Sequence, residues 1–189
     1  MHPVRAGPRA EGLHLRPARP DEIPCLDALA LAAKASWGYS ALQMDLWRDE
    51  MALRLDAWPA RPVCVATRNG QVLGYVQLAT DTEPWSIWGL WVLPAVMGQG
   101  VGRQLFEWAL DRAAAAGQAT IAIDADPNAE GFYRACGAER VGRLASPIVG
   151  QADRHRPQMR CATAWPPDVA SHASGTVAGR RRHRDPTAA

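Results

Sequence analysis

The sequence predicts an α/β fold of the α+β kind, in which helices flank a central, mixed and mostly antiparallel β-sheet. One observation is a β-hairpin, because the apolar runs 63–66 and 72–78 enclose Asn69-Gly70, a pair that tolerates the positive φ of a type I′ turn. Another is the run 85–93, which is apolar enough for a central strand and ends at Pro94. The third is an amphipathic helix between Gly102 and Ala116, where apolar residues recur every three or four positions.

The elements before the hairpin also follow from local patterns. Residues 13–16 alternate in polarity as a strand does, and the Ala- and Leu-rich segment from Ile23 to Ser36 predicts a helix. Trp37-Gly38-Tyr39 interrupts it, and Ser40 is placed to cap a second helix that we expect to reach about Leu55.

The elements after the amphipathic helix are shorter. Gly117 ends that helix, and Thr120–Ile123 is typical of a strand. A helix is expected from Asn128 to Cys136, followed by strands near 139–141 and 159–164. This order suits a mixed sheet covered by helices.

The chain of 189 residues is long enough for one domain with a substantial core. We expect this domain to span residues 13–164. A flexible extension is expected over 1–12, and a disordered tail over 165–189, where Pro, Ala, Ser, Gly and Arg occur without periodicity.

Composition argues against several classes of protein. A net charge of +2 gives no reason to expect a nucleic-acid partner, and the basic run 180–184 is more typical of a solvated terminus. Apolar runs of secretory-signal or membrane-spanning length are missing, which favours a cytoplasmic protein without a membrane partner. The four cysteines form no CxxC pair, and the histidines lack ligand spacing, so we expect neither a disulfide framework nor a metal site.

A glycine-rich loop joins the central strand to the amphipathic helix. Gly98, Gly100 and Gly102 leave the main chain uncovered where the N–H groups of a helix start converge, an arrangement that suits a phosphate. A P-loop is excluded because Arg103-Gln104 stands where Lys and Ser or Thr are required, and the same Arg103 occupies the last glycine position of a dinucleotide fingerprint.

Two blocks resemble the GNAT superfamily of acyl-CoA-dependent N-acetyltransferases. Met97-Gly98-Gln99-Gly100-Val101-Gly102 is similar to the family's pyrophosphate loop, although Met97 stands where Arg or Gln is usual. The segment 125–138, with Asn128 and Phe132-Tyr133, resembles the family's Asn…Phe-Tyr…Gly block. Ser36-Trp37-Gly38-Tyr39 and the segment 47–51 are similar to an uncharacterised bacterial subgroup.

This resemblance implies an enzyme that uses acetyl-CoA as co-substrate and acetylates a primary amine by direct attack in a ternary complex. The amine would belong to a small molecule or a peptide, and a homodimer is compatible with the family. Tyr133 would be the catalytic acid that protonates the departing thiolate. The residues implied in cofactor binding are Leu90, Trp91, Val92, Gly98, Gln99, Gly100, Val101, Gly102, Arg103, Asn128 and Tyr133.

Some roles stay open at this point. Asn128 could cap its helix or bind the cofactor, and Trp37, Tyr39, Trp85 and Trp88 could wall an acceptor pocket or belong to the core. The base is unassigned, because the strand lacks a carboxylate and Asp81, Glu83 and Asp126 are more typical of solvated loop residues. The missing carboxylate and Met97 also motivate an alternative function, an inactive acyl-CoA-binding sensor or scaffold module.

Overall fold

A computed structural model describes residues 12–163, which form a seven-stranded sheet in the order β1-β2-β3-β4-β5-β7-β6. Neighbouring strands are antiparallel except for the parallel pair β4 and β5. The predicted fold class and element order are confirmed, whereas the predicted tail over 165–189 and residues 1–11 of the predicted extension lie outside the described residues. The strands are β1 (His14–Pro17), β2 (Val63–Arg68), β3 (Gln71–Ala79), β4 (Ser86–Val92), β5 (Thr120–Asp124), β6 (Glu139–Ala145) and β7 (His155–Ala162), and the helices are α1 (Ile23–Ala35), α2 (Ala41–Met51), α3 (Val101–Ala115) and α4 (Glu130–Ala135).

Helices cover both faces of the sheet. Leu105, Phe106 and Ala109 of α3 are buried against one face, and Leu26 and Leu29 of α1 against the other. The strands contribute side chains to the core on each face of the sheet, since successive side chains of a strand point to opposite faces. Strand β3 is buried from Leu73 to Ala79, so apolar surface is removed from water on both of its faces.

The hairpin and the helix cap form as their residue types predict. Asn69 and Gly70 have φ angles of 51° and 78°, which a type I′ turn requires. The Ser40 hydroxyl accepts a hydrogen bond from the main-chain N–H of Gln43 at 3.2 Å and so caps α2.

Four predicted elements have boundaries that differ from the expected ones. Helix α2 ends at Met51 instead of near Leu55, because Ala52 is extended and the Leu53 N–H donates to the Asp27 carboxylate at 2.8 Å. The helix predicted from Asn128 is divided into a 3-10 turn over Pro127–Ala129 and the short α4. Strands β6 and β7 are longer than their apolar cores suggest, because they pair with each other along most of their length.

Strands β4 and β5 separate soon after they meet. Their ladder consists of Ser86 opposite Ala122 and Ile87 opposite Ile123, whereas the pairing of β4 with β3 continues to Val92. The register of β3 and β4 shifts between Gln77, which lies opposite Gly89, and Leu78, which lies opposite Ile87, so β4 has a bulge there. Residues 88–92 therefore have no strand partner on the β5 side within the described part of the chain.

Candidate active site

The glycine loop leaves the main chain at the start of α3 without covering side chains, as its sequence predicts. Gly98 and Gly100 have φ angles of 77° and 85°, in the left-handed region where another residue would cost about 1–2 kcal/mol. Gly102 lies in the first turn of α3, where an added Cβ would be only 3.3 Å from the Phe132 ring. The first turn of α3 thus presents main-chain N–H groups beside glycines that carry no side chain, an arrangement that suits an anion.

A cavity of about 470 Å³ opens beside this loop, and we call it the glycine cavity. It lies between the end of β4, the glycine loop and α4. Nine of the eleven residues implied in cofactor binding line it, namely Leu90, Trp91, Val92, Gly98, Gly100, Gly102, Arg103, Asn128 and Tyr133.

The other two implied residues contribute no side chain to the cavity wall. Val101 is buried in the core, and the Gln99 amide donates to the carbonyl of Ala95 at 3.3 Å. The Arg103 guanidinium donates to the carbonyl of Ala135 at 3.0 Å, so it bridges α3 and the end of α4. The contribution that the resemblance implies for Gln99 and Val101 would come from the main chain of the loop.

A second cavity of about 690 Å³, the aromatic cavity, adjoins the first. Trp37, Trp47 and Trp88 contribute to its wall. The two cavities meet, because they share Trp37, Leu90, Trp91, Ala129 and Tyr133.

Tyr133 lies at this junction. Its ring is buried against Phe106 and Phe132, with centroid distances of 5.5 and 5.0 Å. Its hydroxyl has no hydrogen-bond partner among residues 12–163, and burial raises its pKa above the ordinary value. The phenol therefore stays protonated at neutral pH and can donate to a ligand.

Asp126 is buried, so its interpretation as a solvated loop residue is wrong. Its carboxylate accepts hydrogen bonds from Lys34 at 2.7 Å, Arg154 at 2.9 Å and the Tyr39 hydroxyl at 2.8 Å. The Asn128 main chain and side-chain amide add bonds of 2.9 and 3.0 Å. These five residues form the Asp126 cluster, which ties α1 and the α1–α2 loop to the segments that flank α4 and β7.

The open role of Asn128 is partly decided by this geometry. Asp126, not Asn128, caps the 3-10 turn, because its carboxylate accepts from the Asn128 main-chain N–H. The Asn128 side-chain N–H groups are used by Asp126 and by the Tyr39 hydroxyl at 3.1 Å. Asn128 still lines the glycine cavity, where its side-chain oxygen is the group left to meet a ligand.

Burial and neighbouring charges change the pKa values of Asp126, Lys34 and Tyr39. Burial alone would raise the pKa of Asp126, but the charge of Lys34 and the hydrogen bonds of the cluster outweigh it and lower that pKa. Burial lowers the pKa of Lys34, and Arg154 and Arg156 act in the same direction, against the opposing effect of Asp126. The pKa of Tyr39 is raised, mainly by burial.

Aromatic rings surround the Lys34 ammonium position. Its Nζ atom lies 4.4 Å from the ring centroid of Trp47, 5.2 Å from Tyr39, 5.4 Å from Trp37 and 5.8 Å from Trp91. These distances are within the range of cation–π attraction.

The four aromatic residues proposed for an acceptor pocket separate into different environments. Trp37 and Trp88 line the aromatic cavity, and the Arg61 guanidinium lies 3.6 Å from the Trp88 ring centroid. Tyr39 belongs to the Asp126 cluster, and Trp85 packs against the core.

Of the two remaining carboxylates, only Glu83 lines the aromatic cavity, whereas Asp81 pairs with Arg61 at 3.7 Å. Sequence reasoning missed Lys34, Glu50 and Arg154, which also line that cavity. The sequence does contain a signal for Lys34, because it is the only lysine among the 21 Lys and Arg residues of the chain.

Residues 12–163 give no support for a membrane-spanning helix or for a metal site. The helices described there are too short or too polar to cross a membrane. The same residues contain no group of three or more His, Cys, Asp and Glu side chains that could hold a metal ion.

Solved structures with the same fold include several N-acetyltransferases. A GCN5-related N-acetyltransferase from Rhodopseudomonas palustris is 24% identical with a TM-score of 0.69, over 83% of this chain and 99% of that one. A spermidine/spermine N-acetyltransferase from Vibrio cholerae is 17% identical with a TM-score of 0.59, over 82% and 94% of the two chains. A PaiA N-acetyltransferase from Thermoplasma acidophilum, solved with coenzyme A, is 13% identical with a TM-score of 0.59, over 79% and 98%.

A search of curated proteins finds no match. The model of the acetyltransferase (GNAT) family matches residues 30–138, a range that contains the glycine loop, the junction of the two cavities and most of the Asp126 cluster. The chain therefore belongs to the GNAT acetyltransferase family and is an N-acetyltransferase.

Proposed function

We propose that this protein transfers the acetyl group of acetyl-CoA to a primary amine by direct attack in a ternary complex. The observation that carries the proposal is the junction of the two cavities at Leu90, Trp91 and Tyr133. A donor bound in the glycine cavity and an amine bound in the aromatic cavity would meet there. No covalent acyl-enzyme is needed, because both substrates reach the same point.

The glycine cavity suits the pyrophosphate and pantetheine of acetyl-CoA, the acyl donor that the family uses. The first turn of α3, from Val101, offers several N–H groups to the pyrophosphate, and each favourable interaction with the helix dipole is worth about 0.3–1 kcal/mol. Gly98, Gly100 and Gly102 keep the approach free of side chains. This fit supports acetyl-CoA as the co-substrate, which supplies the thioester and the thiol leaving group.

The separated end of β4 suits the pantetheine arm. Residues 88–92 keep main-chain donors and acceptors free on the β5 side, and amides of the arm could pair with them as a strand would. Leu90, Trp91 and Val92 lie in this stretch and line the glycine cavity. Main-chain N–H groups there could also polarise the thioester carbonyl.

Tyr133 is the proposed acid for the departing thiolate. Its hydroxyl is protonated, carries no hydrogen bond to the described residues and lies where the cavities meet. Its role would be to donate a proton or a hydrogen bond as the C–S bond breaks.

Isothermal calorimetry with acetyl-CoA tests the donor site. We expect micromolar binding that Gly100→Glu abolishes, because the new carboxylate would occupy the anion site. Gly70→Glu is a matched control, since Gly70 also has a positive φ of 78° but lies in the β2–β3 hairpin. Absence of binding by the wild-type protein, or equal loss in both variants, would contradict the proposed donor site.

A screen of amines for acetyl-CoA-dependent thiol release tests the acceptor. Diamines, amino acids and peptides with a free amino group represent the classes to compare. A protein that binds acetyl-CoA but releases thiol with none of them would instead fit the binding-only module.

A further inference from the structure

We propose that Lys34, in its neutral amine form, accepts the proton that the acceptor's ammonium group must lose before attack. This inference rests on the proposed function and supplies the base that β4 lacks. Lys34 lines the aromatic cavity, and its Nζ atom lies close to Trp37 and Trp91, which belong to both cavities. The amine is therefore on the acceptor side of the junction.

The charge balance of the Asp126 cluster favours a neutral Lys34. The buried carboxylate of Asp126 is shared by two cationic groups, Lys34 and Arg154, whose side chains are 11% and 4% exposed. With every group ionised, the cluster would carry an excess positive charge away from water, which is costly. Arg154 cannot lose its proton, so deprotonation of Lys34 is the change that neutralises the cluster.

The groups that face Lys34 from neighbouring elements act on its pKa in both directions. Burial lowers this pKa, the Asp126 charge and hydrogen bond raise it, and the positive charges of Arg154 and Arg156 lower it, with a net decrease. Glu50 and Glu83 line the same cavity without a hydrogen bond to Lys34. A lowered pKa favours the neutral amine, which is the form that a general base requires.

The residue type at this position is itself informative. The other 20 residues counted as Lys or Arg are arginines, and of these two residue types only lysine can lose its proton and act as a base. An arginine could supply the positive charge and the hydrogen bond to Asp126, but it could not accept a proton. A role that needed only positive charge could be filled by either lysine or arginine, whereas a role as base requires lysine.

The proton balance of the step is complete. The acceptor R–NH₃⁺ gives one proton to the Lys34 amine, and the resulting R–NH₂ attacks the acetyl carbonyl and forms the C–N bond. The C–S bond breaks, the thiolate takes the Tyr133 proton, and the Tyr133 oxygen is reprotonated by the nitrogen of the new amide. Lys34 returns its proton to water through the open aromatic cavity.

A single-residue NMR titration tests the protonation state without an acceptor. Full-length protein with a lysine-free tag, grown with ¹³C,¹⁵N-lysine, gives the side-chain signal of Lys34 alone. We expect a titration midpoint below the ordinary value of 10.5. Arg156→Gln should move the midpoint upward because it removes a positive charge, whereas Arg160→Gln, in the same cavity wall, should leave it unchanged. A wild-type midpoint at or above 10.5 would overturn the proposal.

The catalytic role is tested with the amine that gives the fastest thiol release in the screen. Lys34→Gln keeps a neutral group that can donate to Asp126 but cannot accept the proton, and it should lower kcat/KM by about 10²-fold or more, while acetyl-CoA affinity and the melting temperature stay close to wild type. The acidic limb of the wild-type pH profile should match the NMR midpoint and move with it in Arg156→Gln. Full activity of Lys34→Gln, or a limb that does not move, would refute the role of Lys34.

Two further outcomes distinguish this proposal from the proposed function. Failure of acetyl-CoA binding would remove the proposed function while the NMR titration still reports on Lys34. A stable gain of one acetyl group at Lys34 by mass spectrometry in the active enzyme would overturn the base role, because an amide cannot accept the proton.

Discussion

Replacement of Asp126 by asparagine should destabilise the protein strongly. The substitution keeps the size of the side chain but leaves the Arg154 guanidinium, whose side chain is 4% exposed, without its counter-charge. Removing one partner of a buried ion pair costs about 3–5 kcal/mol. In a domain of this size, about 1 kcal/mol corresponds to a melting-temperature shift of about 2–4 °C, so we expect a decrease of about 6–20 °C.

Asp124→Asn is the matched control. Asp124 is two residues away and pairs with Arg156 at 2.9 Å, but these side chains are 39% and 35% exposed. An exposed pair contributes at most about 1 kcal/mol, so the expected decrease is below about 4 °C. Thermal unfolding followed by circular dichroism or scanning calorimetry measures both variants at pH 7.

A double variant tests whether uncompensated charge is the cause. Arg154→Met combined with Asp126→Asn removes the guanidinium together with the carboxylate, and it should melt at a higher temperature than Asp126→Asn alone. Equal melting temperatures for Asp126→Asn and Asp124→Asn would refute the reasoning, and so would a double variant in which the two losses simply add.

Two other predictions concern catalysis and acid stability. Tyr133→Phe should lower kcat about 10²-fold by thiol-release assay and leave the calorimetric Kd for acetyl-CoA unchanged, and a parallel loss of both would indicate a packing role instead. The hydrogen bond from Arg16 lowers the pKa of Glu22 from 4.5 to about 2, so this group stabilises the fold fully above pH 4.5 and progressively less as the pH falls to 2. The melting temperature of Glu22→Gln should therefore fall less steeply than that of the wild type between pH 4.5 and 2, and identical slopes would contradict this assignment.

The fold was predictable because its strongest signals are local. Asn69-Gly70 specifies its turn through backbone conformation, and the spacing of apolar residues specifies α3. The glycine loop was located from sequence for the same reason, since the conformations of Gly98 and Gly100 belong to those residues. Helix α2 was predicted too long because the group that ends it is Asp27, 26 positions earlier in the chain.

The Asp126 cluster could not be predicted in this way. Its members are far apart in the chain, as Tyr39 and Arg154 are at 115 positions, and no periodicity or motif relates them. Asp126 was interpreted as exposed because loop carboxylates usually are, whereas its burial depends on cations that only the tertiary fold supplies. The composition did contain one non-local signal, the isolated lysine among arginines.

The early separation of β4 and β5 has a consequence for local stability. Two residue pairs join a four-stranded and a three-stranded half of the sheet, so main-chain amides of residues 88–92 that face β5 have no internal acceptor there. Such amides exchange with solvent deuterium from the native state, although their strand lies in the middle of the sheet. A ligand that pairs with them would slow this exchange, so the centre of the sheet would complete its secondary structure only when substrate is bound.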